Sequence, residues 1–559
     1  MTALDRNFRR LITFLESPES YPHRPFQVQA IQTHISWIFI ASPFVFKVKK
    51  PVNLGFLDFS TLEKRHYFCQ REIALNRRLA PEIYLEVVPI YKTASGFSFS
   101  GEGEIAEYAV KMRELRHGGR GRRTLREGGF SNELLAENLV GEIEINQVIS
   151  VLRRFYEAET PTPEIDQWGT PEKLKISTDE NFTQVESFIG ETISLAAFES
   201  IHHYTNQFYM INKNLFHERI RQRRILDCHG DLRLDHVHLT PGTTTIFDCI
   251  EFNDRFRFID IASDLAFLAM DFDFKGRSDL GNLFLRNAAR ELGDAGMLKI
   301  ANFYKCYRAF VRGKVESIQV TEEETTNPEE HERQAARYFQ LALQYAIAGS
   351  RPLVLVVMGR VGTGKSTIAK RLASELDWPV FSSDKIRKTL AGVPLTKRTP
   401  FELRDKIYSA QQTRQTYRKL VGDGLAAVGC SRGRRPRPLQ PHNGVVLDAT
   451  FSTRALRKLL RDECKKMNVP FQFVELQVDS NEIKNRLKDR NEKRAEVSDA
   501  RFEDFEKLNA AYEPPPELAL DLIRISTNTS VSDTVKAILL CLAEKQAIVA
   551  NNKGFAEPG

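Results

Sequence analysis

Residues 353–376 read LVLVVMGRVGTGKSTIAKRLASEL, and their reading decides the fold of half the chain. LVLVVM is a short, continuous, β-branched apolar run, the pattern of a strand buried on both faces. TIAKRLASEL has helical composition and spacing. Between them GRVGTGKS, Gly359–Ser366, fits G-x-x-x-x-G-K-[ST]. A strand, a glycine-rich turn and a helix in this order aim several backbone N–H groups and a helix N-terminus at one point, which suits a triphosphate. Candidate nucleotide contacts are therefore Gly359, Gly362, Thr363, Gly364, Lys365, Ser366 and Thr367. Lys365 would reach the β- and γ-phosphates and act in catalysis, and the Ser366 hydroxyl would hold Mg²⁺.

Outward from this loop, apolar runs alternate with helix-length segments: WPVFSS, VVLDATF, FQFVELQV and LDLIRIS follow in turn. Alternation of this kind predicts a doubly wound parallel sheet with helices on both faces, and such sheets bind ligands at their C-terminal strand ends. Asp384 in FSSDKIRK and Asp448 in VVLDATF lie just past two strand ends, so both should approach Gly359–Ser366, with Arg387 three residues beyond Asp384. Residues 352–545 resemble the small P-loop kinases of the gluconate-kinase, polynucleotide-kinase and zeta-toxin type. The resemblance implies that Asp384 orients or deprotonates an acceptor hydroxyl and that Asp448 is the Walker B carboxylate supporting Mg²⁺. It also implies that the helix NEIKNRLKDRNEKR, with Arg486, Arg490 and Arg494, is a lid, Arg490 being the arginine expected to act on the transferring phosphate.

The first half has a different pattern. IQTHISWIFIASPFVFKVKKPV, 31–52, predicts a strand hairpin turning near Ser42 and Pro43, with Val45, Lys47 and Lys49 on one face and Phe46 and Val48 on the other. A helix follows from about Ser60, with Ser60 or Thr61 as its cap and Glu63 placed for a capping box. Three further strands complete a small antiparallel sheet with one helix. Helical periodicity then dominates 131–225, giving a mainly helical second lobe. HGDLRLDH places His229, Asp231 and His236 on one tight loop, and Asp248 ends the next apolar strand. Phosphorylating a hydroxyl requires a carboxylate to orient it and ligands for a phosphate-bridging cation. Asp231 can serve the first need, His236 and Asp248 the second.

These residues resemble the aminoglycoside phosphotransferase and choline-kinase group of kinase-like folds, over about residues 25–320. The resemblance makes Asp231 the catalytic aspartate, Asp248 the Mg²⁺-binding aspartate and Asp264, in SDLA, a structural one. Asp260 is placed one turn earlier on the same helix face. Lys47 resembles the strand lysine that holds the α- and β-phosphates, with Glu72 its ion-pair partner, although Lys49 faces the same way. His236 stands where that group has asparagine, and no G-x-G-x-x-G precedes Lys47.

At 559 residues the chain is too long for one core. The expected division is a bilobal α+β kinase-like domain at 1–325, a linker helix at 326–350, a P-loop domain at 351–545 and a flexible tail at 546–559. No apolar stretch has membrane-spanning length and the N-terminus lacks a signal-peptide pattern, so the expectation is a cytoplasmic protein without membrane contact. Seven scattered cysteines without a C-x-x-C pair argue for reduced thiols. The net charge of +7 is concentrated in RHGGRGRR, 116–123, and SRGRRPRP, 431–438. Without Arg432, Arg434, Arg435 and Arg437 it would be +3. Both runs read as solvated loops, the second as an insertion, which weighs against nucleic acid.

The whole chain resembles bacterial fusions of an aminoglycoside-phosphotransferase-like domain with a P-loop, AAA-type kinase domain. The leading expectation is a Mg·ATP-dependent kinase with two nucleotide sites and ATPase activity, acting on a hydroxyl-bearing small molecule. The alternatives are a nucleotide-gated regulatory protein with a pseudokinase first half, and a nucleic-acid 5′-end kinase.

Overall fold

The computed structural model describes residues 3–94, 96–101, 103–115, 128–321, 327–395, 399–429, 443–479, 481–483, 485–486 and 509–552. They form two compact units, each assembled from two stretches of chain: Met1–Asp179 with Lys213–Arg308, and Glu180–Asn212 with Ala309–Gly559. The helix Pro328–Ala348 falls within the second.

The first unit opens with a six-stranded antiparallel sheet made of β1 (Gln29–Gln32), β2 (Ser36–Ala41), β3 (Phe44–Lys49), β4 (Tyr84–Thr93), β5 (Gly96–Ser98) and β6 (Ile105–Arg113), in the order β1-β2-β3-β6-β4-β5. The hairpin expected around Ser42 and Pro43 is β2–β3, with Ile38 opposite Lys47. Period-two alternation on β3 sends Phe46 and Val48 to one side and the lysines to the other. The Phe46 side is covered by a helix the sequence reading did not include, Ala3–Glu16, through Leu11, Ile12, Leu15 and an aromatic group of Phe14, Tyr21, Phe97 and Phe99. The sheet therefore carries two helices, not one. The opposite side receives the expected helix, Leu62–Asn76, whose Cys69 and Ile73 pack with Tyr84 and Val110. Its cap is Thr61, whose hydroxyl accepts from Lys64 N at 3.3 Å; this puts Lys64 at the third position, so Glu63 cannot close a capping box.

Beyond β7 (Gly129–Phe130) the first unit is mainly helical, with Glu142–Ala158, Ile261–Phe274 and Ser278–Glu291 as its larger helices. Short strands carry the chemistry-bearing loops: β8 (Ile225–Asp227), β9 (Val237–Thr240), β10 (Thr243–Ile246) and β11 (Phe258–Asp260). They pair as β10-β9-β7 and β11-β8. Asp260 is not on the helix face with Asp264. It is extended (φ −62°, ψ 131°) and caps the helix, accepting from Ala262 N, because its carboxylate is held by buried Arg219.

The second unit is built on a wholly parallel sheet, β12 (Leu353–Gly359), β13 (Val380–Ser382), β14 (Gly444–Asp448), β15 (Phe471–Gln477) and β16 (Leu522–Ser526), in the order β13-β14-β12-β15-β16. All five apolar runs of the sequence are strands here. β12 is central, and the strand order reverses beside it, so the loop that follows β12 sits at the topological switch point. Helices Leu195–Ile211, Pro328–Ala348 and Val531–Asn552 belong to the same unit; Asn212 Nδ2 donates to Ala547 O at 3.1 Å, and Lys536 pairs with Glu199 at 3.1 Å.

Six cysteines are unbridged, five of them buried; Cys430 lies outside the described residues, as do the basic runs at 116–123 and 431–438. Among the described residues no helix is long and apolar enough to cross a membrane.

Candidate functional site

In the second unit the loop after β12 has the backbone its glycines permit. Gly359, Gly362 and Gly364 have φ of 140°, 83° and 87°. These values favour glycine, and a Cβ on Gly359 would lie 2.7 Å from Leu476 O on the neighbouring β15. Gly364 caps the helix Lys365–Leu376, whose first-turn N–H groups face the loop. Thr363, 1% exposed, donates its hydroxyl to Arg360 O at 2.9 Å, and Lys365 Nζ donates to the same carbonyl at 2.7 Å. Thr527, just past β16, donates to Thr363 O at 3.2 Å.

Asp448 ends β14 directly opposite Val357 and Ser382, so it borders the strand that feeds the loop. Asp384 lies in the first turn of the helix Ser383–Leu390, beginning where β13 ends. Arg387 turns away: buried, it donates to Ile407 O and Thr413 Oγ1 at 2.9 and 3.0 Å and stacks on Tyr408. Of the arginine helix, Arg486 stands against the loop, donating to Thr527 O at 2.9 Å and to Glu482 at 2.8 Å. Arg490 and Arg494 lie outside the described residues. Ser366, in the first turn of the helix after the loop, and Asp448, at the end of β14, offer a hydroxyl and a carboxylate, oxygen donors of the kind a hard divalent cation takes.

In the first unit Lys47, Glu72, Asp231, His236 and Asp248 come together from four places in the sequence. Lys47 Nζ is 2.8 Å from Asp248 Oδ1 and 2.9 Å from Glu72 Oε1. Lys49 holds the other oxygen of Glu72 at 2.7 Å and also pairs with Glu251. Burial works against the charge of Lys47, but Asp248 and Glu72 outweigh it and hold its ammonium well above the usual range. Burial likewise opposes ionisation of Glu72, yet the two lysines keep its carboxyl below the ordinary value. Asp248 is driven down in the same way by Lys47 against its burial.

Asp248 has φ of 65°, a left-handed conformation uncommon for a residue with a side chain. Two partners fix it: its N–H donates to the Tyr84 hydroxyl at 3.1 Å, and the next N–H, of Cys249, donates to Asn76 Oδ1 at 2.8 Å. Asn76 lies one turn after Glu72 and also donates to Glu72 O at 2.9 Å, so one helix orients both the glutamate and the aspartate.

The HGD loop is held by Asp264, which is wholly buried. Its oxygens accept from His229 N at 3.0 Å, Gly230 N at 2.9 Å and the Tyr156 hydroxyl at 2.9 Å. His229 donates Nε2–H to Phe247 O at 2.9 Å and accepts from Asp231 N at 3.3 Å, which requires a neutral ring; burial depresses its pKa accordingly. His236 sits between the two aspartates. Its Nδ1 is 2.8 Å from Asp231 O and its Nε2 is 3.5 Å from Asp248 Oδ2. The carbonyl must accept, so Nδ1 carries hydrogen and Nε2 of the neutral ring accepts, here from Arg233 Nη2 at 3.1 Å. Arg233 also lies 3.2 Å from Asp231 Oδ1. Among the described residues no group of three or more His, Cys, Asp or Glu side chains is arranged to hold a metal ion; Asp248 supplies carboxylate oxygens alone.

Sequence reading missed Glu251, Asn76 and Arg233. Glu251 follows Asp248 by three residues, and Lys49 repeats Lys47 at the strand period, so this pair had a local signal. Asn76 had none, since its role depends on a loop far along the chain.

A family model described as an AAA domain matches residues 354–515. A gluconokinase of Gluconobacter oxydans is 28% identical over 148 residues, 25% of this chain and 67% of its own. Among solved structures, a gluconokinase from Sinorhizobium meliloti is 18% identical with a TM-score of 0.24, covering 36% of this chain and 95% of that one. The Mycobacterium tuberculosis APS kinase CysC in complex with AMPPNP and APS is 17% identical with a TM-score of 0.26, covering 35% and 98%. The C-terminal region of the chain, within the second unit, thus has a P-loop kinase-like fold. Over a longer span, 430 residues, the chain is 30% identical to the Mycobacterium tuberculosis H37Rv protein Rv2004c, covering 77% of itself and 80% of that protein. This chain belongs to the family of the mycobacterial protein Rv2004c.

Proposed function

We propose that the chain is an ATP- and Mg²⁺-dependent phosphotransferase with two nucleotide sites, passing a γ-phosphate to the hydroxyl of a small molecule. The observation that carries this reading is the loop Gly359–Ser366, with left-handed glycines at the switch point of a parallel sheet and two aspartates at neighbouring strand ends. In the second unit the loop amides and Lys365 grip the phosphates, and Asp384 orients the acceptor hydroxyl and takes its proton. Ser366 and Asp448 would hold Mg²⁺, which when bound neutralises charge on the β- and γ-phosphate oxygens. Arg486 stands ready against the loop, and Arg490 is assigned to the transferring phosphate. The likeness to gluconokinases supports a small polyol or sugar-acid acceptor at this site.

In the first unit, which resembles aminoglycoside phosphotransferases, Asp231 would orient the acceptor hydroxyl, Lys47 would hold phosphate and Asp248 the cation. His236 would hold Asp231 and Asp248 in mutual register. A second reading, a nucleotide-gated regulatory protein, is favoured by one observation: Lys47 is already paired with Asp248 and Glu72, and both ring nitrogens of His236 have protein partners.

The test is transfer of labelled γ-phosphate to a metabolite pool by the full chain, its Lys365→Ala and Asp231→Ala variants and the double variant. Lys365→Ala should reduce transfer by at least about a hundredfold at the second site. A product lost only in Asp231→Ala identifies transfer by the first unit. Turnover unchanged by Lys365→Ala would overturn the P-loop assignment, and Asp231→Ala without effect on any product favours the regulatory reading. An arm with a 5′-hydroxyl oligonucleotide reports on a nucleic-acid acceptor.

A further inference from the structure

The first unit contains an ion ladder that its proposed chemistry does not by itself require. Glu251, Lys49, Glu72, Lys47 and Asp248 alternate in sign along one line of contacts, and its inner members are almost out of solvent: Lys49 and Glu72 are 0% exposed and Glu251 4%. Kinase-like chemistry as proposed above needs one lysine and one glutamate; here two lysines divide one glutamate, oxygen by oxygen. Burying a second ion pair is expensive, and a pair kept only for packing is commonly replaceable by apolar side chains at little cost.

The geometry assigns Lys49 and Glu251 a positioning role: they hold Glu72 charged and fixed while Lys47, still paired with it, is shared with a phosphate. This rests on the reading of the first unit as a nucleotide site. The physical reason is the charge that Glu72 must keep. With Lys47 as its sole partner, Glu72 would share one buried ammonium with a highly charged phosphate, and that under-pairing would be charged against nucleotide binding. Lys49 on Oε2 removes it. Lys49 in turn needs compensation, because an ammonium without exposure and with half a carboxylate is itself under-paired; Glu251 supplies it, and the Phe59 ring lies 4.9 Å from the same nitrogen. Lys47 is the outer of the two lysines, 8% exposed and beside Asp248, so it is the lysine placed to meet a phosphate.

An acyl-phosphate derivative of ATP tests this on the full chain. A lysine amine at the phosphates attacks the acyl carbonyl, an amide N–C bond forms, the acyl C–O bond breaks, ATP departs and the amine's proton goes to solvent; mass spectrometry then locates the acylated residue. Wild type should be labelled at Lys47 and at Lys365, both competed by ATP, and not at Lys49. Labelling at Lys49 overturns the inference, whereas labelling at neither Lys47 nor Lys49, with Lys365 labelled, shows that the first unit is not a nucleotide site. The paired apolar variant Lys49→Met with Glu251→Met removes both charges together and should fold. It is expected to lower Lys47 labelling at least about tenfold, the loss of one charge-assisted hydrogen bond, while Lys365 labelling stays unchanged. Lys49→Arg should restore Lys47 labelling. Unchanged Lys47 labelling in the paired variant, with circular dichroism showing a native fold, means the ladder only packs and overturns the assignment. Should the paired variant unfold, the labelling position in wild type still decides between Lys47 and Lys49.

Discussion

Asp264 shows how much of a site one residue can hold without touching substrate. Its two oxygens accept three hydrogen bonds, two of them from consecutive backbone N–H groups of the loop that ends in Asp231. Asp264→Ala leaves those donors buried and unpaired, and should cost about 2–4 kcal/mol in chemical unfolding while displacing Asp231. His229 makes a pH prediction with a definite sign. Burial sets its folded pKa below the ordinary 6.5, so the unfolded chain binds the proton more readily and stability is present above about pH 6.5 and lost as pH falls. The fall in Tm between pH 7 and pH 5.5 should be smaller in His229→Gln, whose amide can still donate to Phe247 O. At this scale the sequence was informative where chemistry and neighbours are local: HGD, the strand-end Asp248 and the alternating Lys47 and Lys49 stand out by spacing. Arg233 was hidden in the same motif because nothing local says that its guanidinium turns back onto Asp231.

Elements were legible in proportion to the strength of their period. Five apolar runs gave five parallel strands because the central strand, covered on both faces, is apolar throughout, and helix-length spacers leave few other topologies. The N-terminal helix Ala3–Glu16 escaped because charges interrupt its apolar stripe, and most of what it covers, such as Phe39, Phe46 and Phe97 of the sheet, is distant in sequence. The loop after β12 makes the sharpest test of an element. Gly359→Ala places a methyl 2.7 Å from a backbone carbonyl of β15 at a φ of 140°. That oxygen cannot rotate away as a side chain would, so the variant should lose about 2–3 kcal/mol of stability and its ATP-dependent rise in Tm, both measurable by thermal unfolding with and without nucleotide.

The molecule as a whole is less legible, because its two units are interleaved in sequence. The chain passes from one to the other after Asp179, returns at Lys213, and leaves again after Arg308. Local patterning marks a helix such as Leu195–Ile211 but not the unit it joins, since its partners, Pro328–Ala348 and Val531–Asn552, lie far later in the chain. Cutting the chain at 325 should therefore yield fragments that bind an exposed-surface dye and aggregate. The first keeps Ile201, Tyr204 and Phe208 without their cover, and the second lacks the helix that covers Val535, Leu539 and Leu542. Co-expression of the two pieces should recover soluble protein.

The same interleaving sets an order of events on the ribosome. Leu195–Ile211 emerges long before Val531–Asn552 exists, and at about ten residues per second the interval is roughly half a minute. Throughout it, the nascent chain presents an apolar helix face that Val531–Asn552 completes. Synthesis of this chain should accordingly lean on a holdase chaperone, and slowing translation near the C-terminus should lower its soluble yield more than slowing it near the N-terminus.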